Sequence, residues 1–217
     1  MAVNSSTIRQ RVAGPAGQIE CAIDGPTASG PAPKGTVVLC HPHPQHGGTM
    51  DNKVVQTLAR AVVQLGWRSV RFNFRGVGAS EGAWAEGVGE VDDALTVIAA
   101  FTAPAAEPLQ PFMLAGFSFG AYVAAMAATR LPDAAKPQRL VLVGPSTQKQ
   151  RMPEVPANTL VIHGEVDDVV PLSATLGWAR AQSLPVIVFP GVGHFFHGQL
   201  GLLRSVVVQE LSPRQPL

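Results

Sequence analysis

Cysteine is scarce: Cys21 and Cys40 are the two in 217 residues. Two thiols in apolar segments are too few for a disulfide framework, and the expectation is a pair of small buried side chains in a reducing, cytoplasmic compartment. Charge is scarce as well, at 14% of residues, and the signs nearly cancel: 16 Lys and Arg face 15 Asp and Glu, for a formal charge of +1. Without a basic excess the electrostatic drive for binding a phosphate backbone is missing, which excludes nucleic acid as the main partner. The opening Met-Ala-Val-Asn-Ser-Ser-Thr-Ile-Arg lacks a basic stretch leading into an apolar core, so no secretory signal is expected. One charge-free run, Phe112 to Thr129, has a length near the lower limit for a membrane span. Gly116, Ser118 and Gly120 interrupt it with turn chemistry, so it reads as a buried strand, a sharp turn and a buried helix, with no membrane role.

What the chain has is apolar content, 46% of residues, enough for one domain over residues 1–217 that buries roughly 70% of its unfolded surface. Short apolar runs alternate with longer helical patterns, as a mostly parallel sheet with crossover helices requires. The runs are Thr36 to Cys40, Arg68 to Phe72, Phe112 to Ala115, Arg139 to Val143, Thr159 to His163 and Val186 to Phe189. Their near-continuous Val, Leu and Ile place both strand faces under helices. Ahead of them, Thr7 to Val12 and Gln18 to Ile23 flank Ala13-Gly14-Pro15-Ala16-Gly17 as an antiparallel hairpin at one edge, and 25–35 reads as loop. That makes about eight strands.

Helices are expected where Val54, Val55, Leu58, Val62 and Leu65 recur and stop at Gly66, where Val88, Val91, Leu95 and Ile98 form an apolar face, and after Ser118. Two more run from about Leu172 to Gln182 and from Phe195 to Leu211. No internal repeat is visible, and the Gly144 to Asn158 loop is too short for an additional folded domain.

Gly116-Phe117-Ser118-Phe119-Gly120 has the Gly-x-Ser-x-Gly form between a predicted strand and a predicted helix, the context that gives the motif meaning. A serine at the tip of such a turn sits in strained backbone, and the new helix points its free N–H groups at the same spot. Its hydroxyl is a weak nucleophile unless a base takes the proton and a third group orients that base. Asp167 and Asp168 follow one predicted strand and His194 follows the next, so neighbouring strands can deliver carboxylate and imidazole over Ser118. Either aspartate satisfies the spacing.

In these features the chain resembles the α/β-hydrolase superfamily, and within it small bacterial esterases related to dienelactone hydrolases. Carrying the resemblance beside the elbow are His41-Pro42-His43-Pro44, Gly47-Gly48-Thr49-Met50-Asp51-Asn52-Lys53 and Phe72-Asn73-Phe74-Arg75-Gly76-Val77-Gly78-Ala79-Ser80-Glu81-Gly82. Dienelactone hydrolases proper carry cysteine at the elbow, where this chain has Ser118. The resemblance implies an α/β-hydrolase fold, a nucleophile at Ser118, a general base at His194 and an orienting carboxylate at Asp167, four residues before Pro171. An oxyanion hole then needs two donors. The Phe119 N–H at the helix start supplies one. Pro42 and Pro44 have no N–H, which leaves His43 as the other, with Gln45 second. With no lid insertion between Val143 and Thr159, the expected pocket is open, rimmed by Trp84, Phe119, Phe195 and Phe196 with Gln45 near by, and suited to small short-acyl esters. No cofactor is implied, the partner is a small-molecule ester, and a homodimer is left open.

Other patterns offer rival chemistry. His41, His43 and His46 form His-x-His-x-Gln-His, close to a zinc-hydrolase run but without its acidic residue, so scaffolding is the preferred role for His41 and His46. The glycines of 76–82 space their last member one position too far for a dinucleotide fingerprint and read as a close turn. Glu90, Asp92 and Asp93 are expected to complement a helix dipole and face water, Arg75 to pair locally, His163 to be structural and His197 to lie on a rim. Thioester or peptide cleavage, acyl transfer, and plain small-molecule binding would use the same fold, so only the site's chemistry can separate them.

Overall fold

Eight strands form one sheet in the order β1-β2-β4-β3-β5-β6-β7-β8. The computed structural model describes residues 7–26, 31–102 and 111–213; residues 1–6, read above for a leader, and part of the 25–35 loop lie outside them. β1 (Ile8–Gly14) and β2 (Gly17–Asp24) are the expected edge hairpin, and β2 pairs antiparallel with β4 (Arg68–Phe72). From β4 onward every pairing is parallel, through β3 (Thr36–Cys40), β5 (Phe112–Phe117), β6 (Leu140–Val143), β7 (Leu160–Gly164) and β8 (Val186–Phe189). Strand order reverses at β3 and β5. Ligand crevices open beyond the carboxyl ends of strands at such a point, because the connections leave in opposite directions.

Alternate side chains of the central strands β3, β5 and β6 feed two cores. Val37, Leu39, Ala115, Phe117 and Ile162 pack under α1 (Lys53–Gln64) and α5 (Leu200–Leu211). Val38, Cys40, Val70, Leu114 and Leu142 pack under α2 (Val88–Thr102) and α3 (Phe119–Arg130), and a smaller cluster of Val161, Ala179 and Leu184 lies under α4 (Leu172–Arg180). With both faces covered, the strands need no polar alternation, which is why they read as continuous apolar runs. Both cysteines are buried and free, and burial pushes their thiol pKa values up, that of Cys21 to about 12.

α1 begins where Asn52 accepts a hydrogen bond from the Val54 N–H at 2.9 Å and ends at Gly66, whose φ of +87° suits glycine. α5 starts five residues later than expected. Phe196 (φ +52°) and Gly198 (φ +74°) take left-handed backbone, which no helix can include, so 195–199 is a turn and Phe196 points inward. Phe196 is fully buried against Phe189, with ring centroids 5.4 Å apart, and Phe119 is fully buried with its ring against Phe74, so neither side chain forms an exposed pocket rim.

A second correction concerns α2. Glu90 and Asp93 do not face water: both are fully buried. Glu90 accepts the N–H groups of Ala85 and Gly87 at 2.9 and 2.7 Å, closing the chain into the helix. Asp93 takes the Arg75 guanidinium from two nitrogens and the Arg75 N–H besides. Only Asp92 behaves as expected, pairing with the half-exposed Arg130 across to α3. Among the described residues no helix is long and apolar enough to cross a membrane.

Candidate active site

The turn from β5 into α3 is built by what its glycines allow. A Cβ on Gly116 would lie 2.2 Å from the Gly120 carbonyl oxygen, and one on Gly120 would lie 2.2 Å from that of Cys40, so neither position admits a side chain. Between them Ser118 adopts φ +57°, ψ −120°, a conformation that costs an L-residue about 1 to 3 kcal/mol. Its N–H is fixed to the Val143 carbonyl at 2.9 Å. Serine at a helix start ordinarily caps the first turn. Here the Ser118 hydroxyl caps nothing in α3 and is directed across the sheet edge.

It meets His194. The Ser118 Oγ to His194 Nε2 distance is 2.9 Å, and His194 Nδ1 lies 2.6 Å from Asp167 Oδ2. Because Nδ1 faces a carboxylate, the ring proton belongs there, and the Nε2 lone pair faces the hydroxyl proton. Asp167 Oδ1 accepts the N–H groups of Val169 and Val170 at 2.9 and 2.7 Å. Burial alone would raise the Asp167 pKa, but the His194 ring and these two N–H donors outweigh it and hold the carboxyl below its ordinary range. Ser118, His194 and Asp167 are each more than nine-tenths buried. Asp168 is exposed, so the structure brings Asp167 to the imidazole and leaves its neighbour in solvent.

The loop after β3 lies against the elbow and makes a 3-10 turn at Pro44–His46. Among the described residues the Phe119 and His43 N–H groups donate to no protein acceptor, whereas the Gln45 N–H goes to His43 Nδ1 at 3.2 Å. That commitment removes Gln45 as a backbone donor. The His43 ring packs 4.5 Å from Trp84, 4.6 Å from His46 and 5.0 Å from Phe119. Burial first, then the positive charges of His46 and Lys149, lowers its pKa. Phe195 is 42% exposed, 5.1 Å from the His194 ring. His197 is exposed beside it in the turn before α5. A cleft of about 420 Å³ between α1 and α5, lined by Lys53, Arg60 and Arg204 among others, includes none of these residues.

His41 is scaffolding. It is fully buried, accepts the Phe74 N–H on Nε2 at 3.1 Å and gives its Nδ1 proton to the Pro42 carbonyl at 2.6 Å, joining the loops after β3 and β4. Burial lowers its pKa to about 4, against the opposing pull of Pro42. With both ring nitrogens committed it has no lone pair for a metal, and the His41, His43, His46 trio is not a zinc site. The 76–82 glycines form a close turn, in which Gly78 lies so near Asn73 and Glu20 that a Cβ would collide.

Two further contributors surround the ring and its carboxylate: Gly144, which the sequence did not single out, and His163, which it marked as structural without linking it to Asp167. Gly144, at the end of β6, has φ +49°, and its Cβ position lies 3.2 to 3.3 Å from the His194 ring and 3.6 Å from Asp167 Oδ2. His163 on β7 lies 3.4 Å from Asp167 Oδ2. Knowing that β6 lies between β5 and β7 is what would have drawn the eye to the first residue beyond it.

A strained serine on the turn after β5, an imidazole from the loop after β8 on its hydroxyl and a carboxylate from the loop after β7 behind the ring, all at the carboxyl ends of parallel strands, define the α/β-hydrolase class. Residues 31–158 match the family model described as serine aminopeptidase, S33, and the chain belongs to this family of α/β serine hydrolases. It is similar to a lidless α/β serine hydrolase of Xanthomonas campestris, at 35% identity and a TM-score of 0.86, over 100% of this chain and 99% of that one. An α/β serine hydrolase homologue of Coxiella burnetii shares 38% identity at a TM-score of 0.83, over 98% of this chain and 99% of that one. An uncharacterized protein of Rickettsia prowazekii is 39% identical over 121 residues, 55% of this chain; the match spans about half the length of that relative, 49%.

Proposed function

We propose that the protein is a cofactor-independent serine carboxylesterase acting on small, short-acyl esters. One observation carries the reading: the continuous chain from Ser118 Oγ to His194 Nε2 at 2.9 Å and from His194 Nδ1 to Asp167 Oδ2 at 2.6 Å. Ser118 Oγ attacks the ester carbonyl while His194 Nε2 takes its proton, and Asp167 holds the ring and stabilises the imidazolium. The oxyanion settles between the Phe119 and His43 N–H groups, each worth roughly 2.7 to 4 kcal/mol of barrier in such holes. Collapse expels the alcohol, which leaves with the proton from His194. Water activated by the same ring then attacks the acyl-enzyme, releases the acid and restores Ser118.

Peptide cleavage from a free amino terminus is the reading that the matched family's description invites. It needs an anion to hold the substrate ammonium. The groups packed around Phe119 and His194 are instead the rings of His43, Trp84 and Phe195, with the positive charge of Lys149 acting on His43, while Asp167 is occupied by His194 and two N–H groups. This chemistry favours a neutral or anionic ester over an aminopeptidase substrate. The experiment is a panel of aryl esters of increasing acyl length, with thioesters and aminoacyl amides alongside. Short acyl esters are expected to turn over fastest, and Ser118→Ala to lower that turnover about a millionfold. A preference for long acyl chains or aminoacyl amides contradicts the proposal.

A further inference from the structure

One buried histidine is not used by the mechanism above. His163, on β7, is fully buried, and its two ring nitrogens differ sharply. Nε2 lies 2.8 Å from the Val170 carbonyl oxygen and 3.4 Å from Asp167 Oδ2. Both neighbours are acceptors, so Nε2 carries the ring proton; it donates that proton to the Val170 carbonyl and lies in contact with Oδ2. Nδ1 is then an unprotonated acceptor, and no protein donor reaches it among the described residues. Burial lowers the ring's pKa, which keeps it neutral with its one proton on Nε2.

A leucine or phenylalanine could fill the same interior space without an unpaired nitrogen, so packing alone does not explain the imidazole. What it adds lies at Val170. The carbonyl of that residue accepts from His163, and its N–H donates to Asp167 Oδ1 at 2.7 Å. The peptide groups on either side of one α-carbon thus couple the ring to the carboxylate, while the ring edge touches the other carboxylate oxygen, the one that holds His194 at 2.6 Å. The ring therefore fixes both the loop that supplies N–H donors to Oδ1 and the orientation of Oδ2.

We infer that His163 is a positioning residue, which holds the Asp167 carboxylate in the plane and at the distance that the His194 Nδ1–H requires by clamping Val170 and touching Oδ2. The inference rests on the reading of Ser118, His194 and Asp167 as one unit. It differs from a packing role in demanding a donor at the Nε2 position specifically, and that difference can be measured. Glutamine places its amide nitrogen near the Nε2 position of histidine, and asparagine near the Nδ1 position.

The experiment compares His163→Gln, His163→Asn and His163→Leu in the full chain by two readouts. The first is the downfield proton resonance of the His194 Nδ1–H, observed without substrate. The second is kcat and KM separately on a short aryl ester. His163→Gln is expected to keep the resonance and to hold kcat within about threefold. His163→Asn and His163→Leu are expected to shift or broaden the resonance and to lower kcat tenfold or more, with KM within about twofold. Should His163→Leu fail to fold, the Gln and Asn pair decides alone, since both are polar and similar in volume. Equal resonance and equal kcat in those two variants overturn the inference and leave His163 a packing residue. The resonance needs no turnover, so a displaced signal in an enzyme that cleaves no ester would retain the positioning role and reject the esterase reading instead.

Discussion

The ion-paired carboxylates near β1 to β4 and Asp167 beyond β5 are held in different ways. Between β1 and β4 the partners are arginines: Arg71 bridges Asp24 at 3.0 Å and Asp51 at 2.8 Å, Arg9 reaches Glu20 and Asp51, and Arg75 closes on the buried Asp93 at 2.8 Å. Beyond β5, Asp167 receives backbone N–H groups and two imidazoles, with no arginine or lysine against it among the described residues. A guanidinium beside Asp167 would neutralise the charge that has to stabilise a developing imidazolium. Peptide dipoles satisfy the oxygens without removing the charge. The arginine-paired carboxylates therefore fix loops, and Asp167 is kept available for chemistry.

Exchanging a single atom at Asp167 should separate these two uses most sharply. Asp167→Asn is expected to lower kcat roughly ten-thousandfold, as loss of the correct ring tautomer does in serine hydrolases, whereas Asp168→Asn, in solvent, should stay within a few-fold. Steady-state kinetics on one aryl ester checks both, and equal loss in the pair would blur the distinction. The arginine-paired carboxylates should answer in stability instead. Arg75→Ala leaves Asp93 buried and uncompensated, so urea unfolding is expected to show a loss of about 3 to 5 kcal/mol, with kcat per folded molecule within a few-fold.

His41, in the loop after β3, gives a smaller, pH-dependent effect. Its folded pKa is about 4 against 6.5 for the free side chain. Because the folded ring binds its proton more weakly than the unfolded one, its contribution is fully present above pH 6.5 and is lost as pH falls toward 4, by about 3 kcal/mol in all. His41→Gln, which cannot titrate there, should be less stable than the parent at pH 7, with the gap shrinking toward pH 4 in urea titrations. A gap that stays constant would place His41 outside the acid response.

The strands were legible in the sequence because burial on both faces leaves unbroken apolar runs, and the elbow because Gly116 and Gly120 tolerate no side chain. Ser118 and His194 were legible for the same reason: each directly follows or closely trails a readable strand. Less was readable where the path of a loop decides which groups meet. Glu90 and Asp93 look like solvent-facing charges until Arg75 and the Ala85 and Gly87 N–H groups are brought to them. Phe196 looks like a rim residue until a left-handed backbone turns it inward. The choice between Asp167 and Asp168 needed the turn itself, since only Asp167 meets the N–H groups of Val169 and Val170.

The central claim is that Ser118 is chemically activated by His194. Labelling with a fluorophosphonate, followed by mapping of the modified peptide, tests it most directly. The account predicts stoichiometric modification at Ser118 in the parent protein and none in His194→Ala. Unmodified Ser118 in the folded parent, or equal labelling of the two proteins, would contradict it.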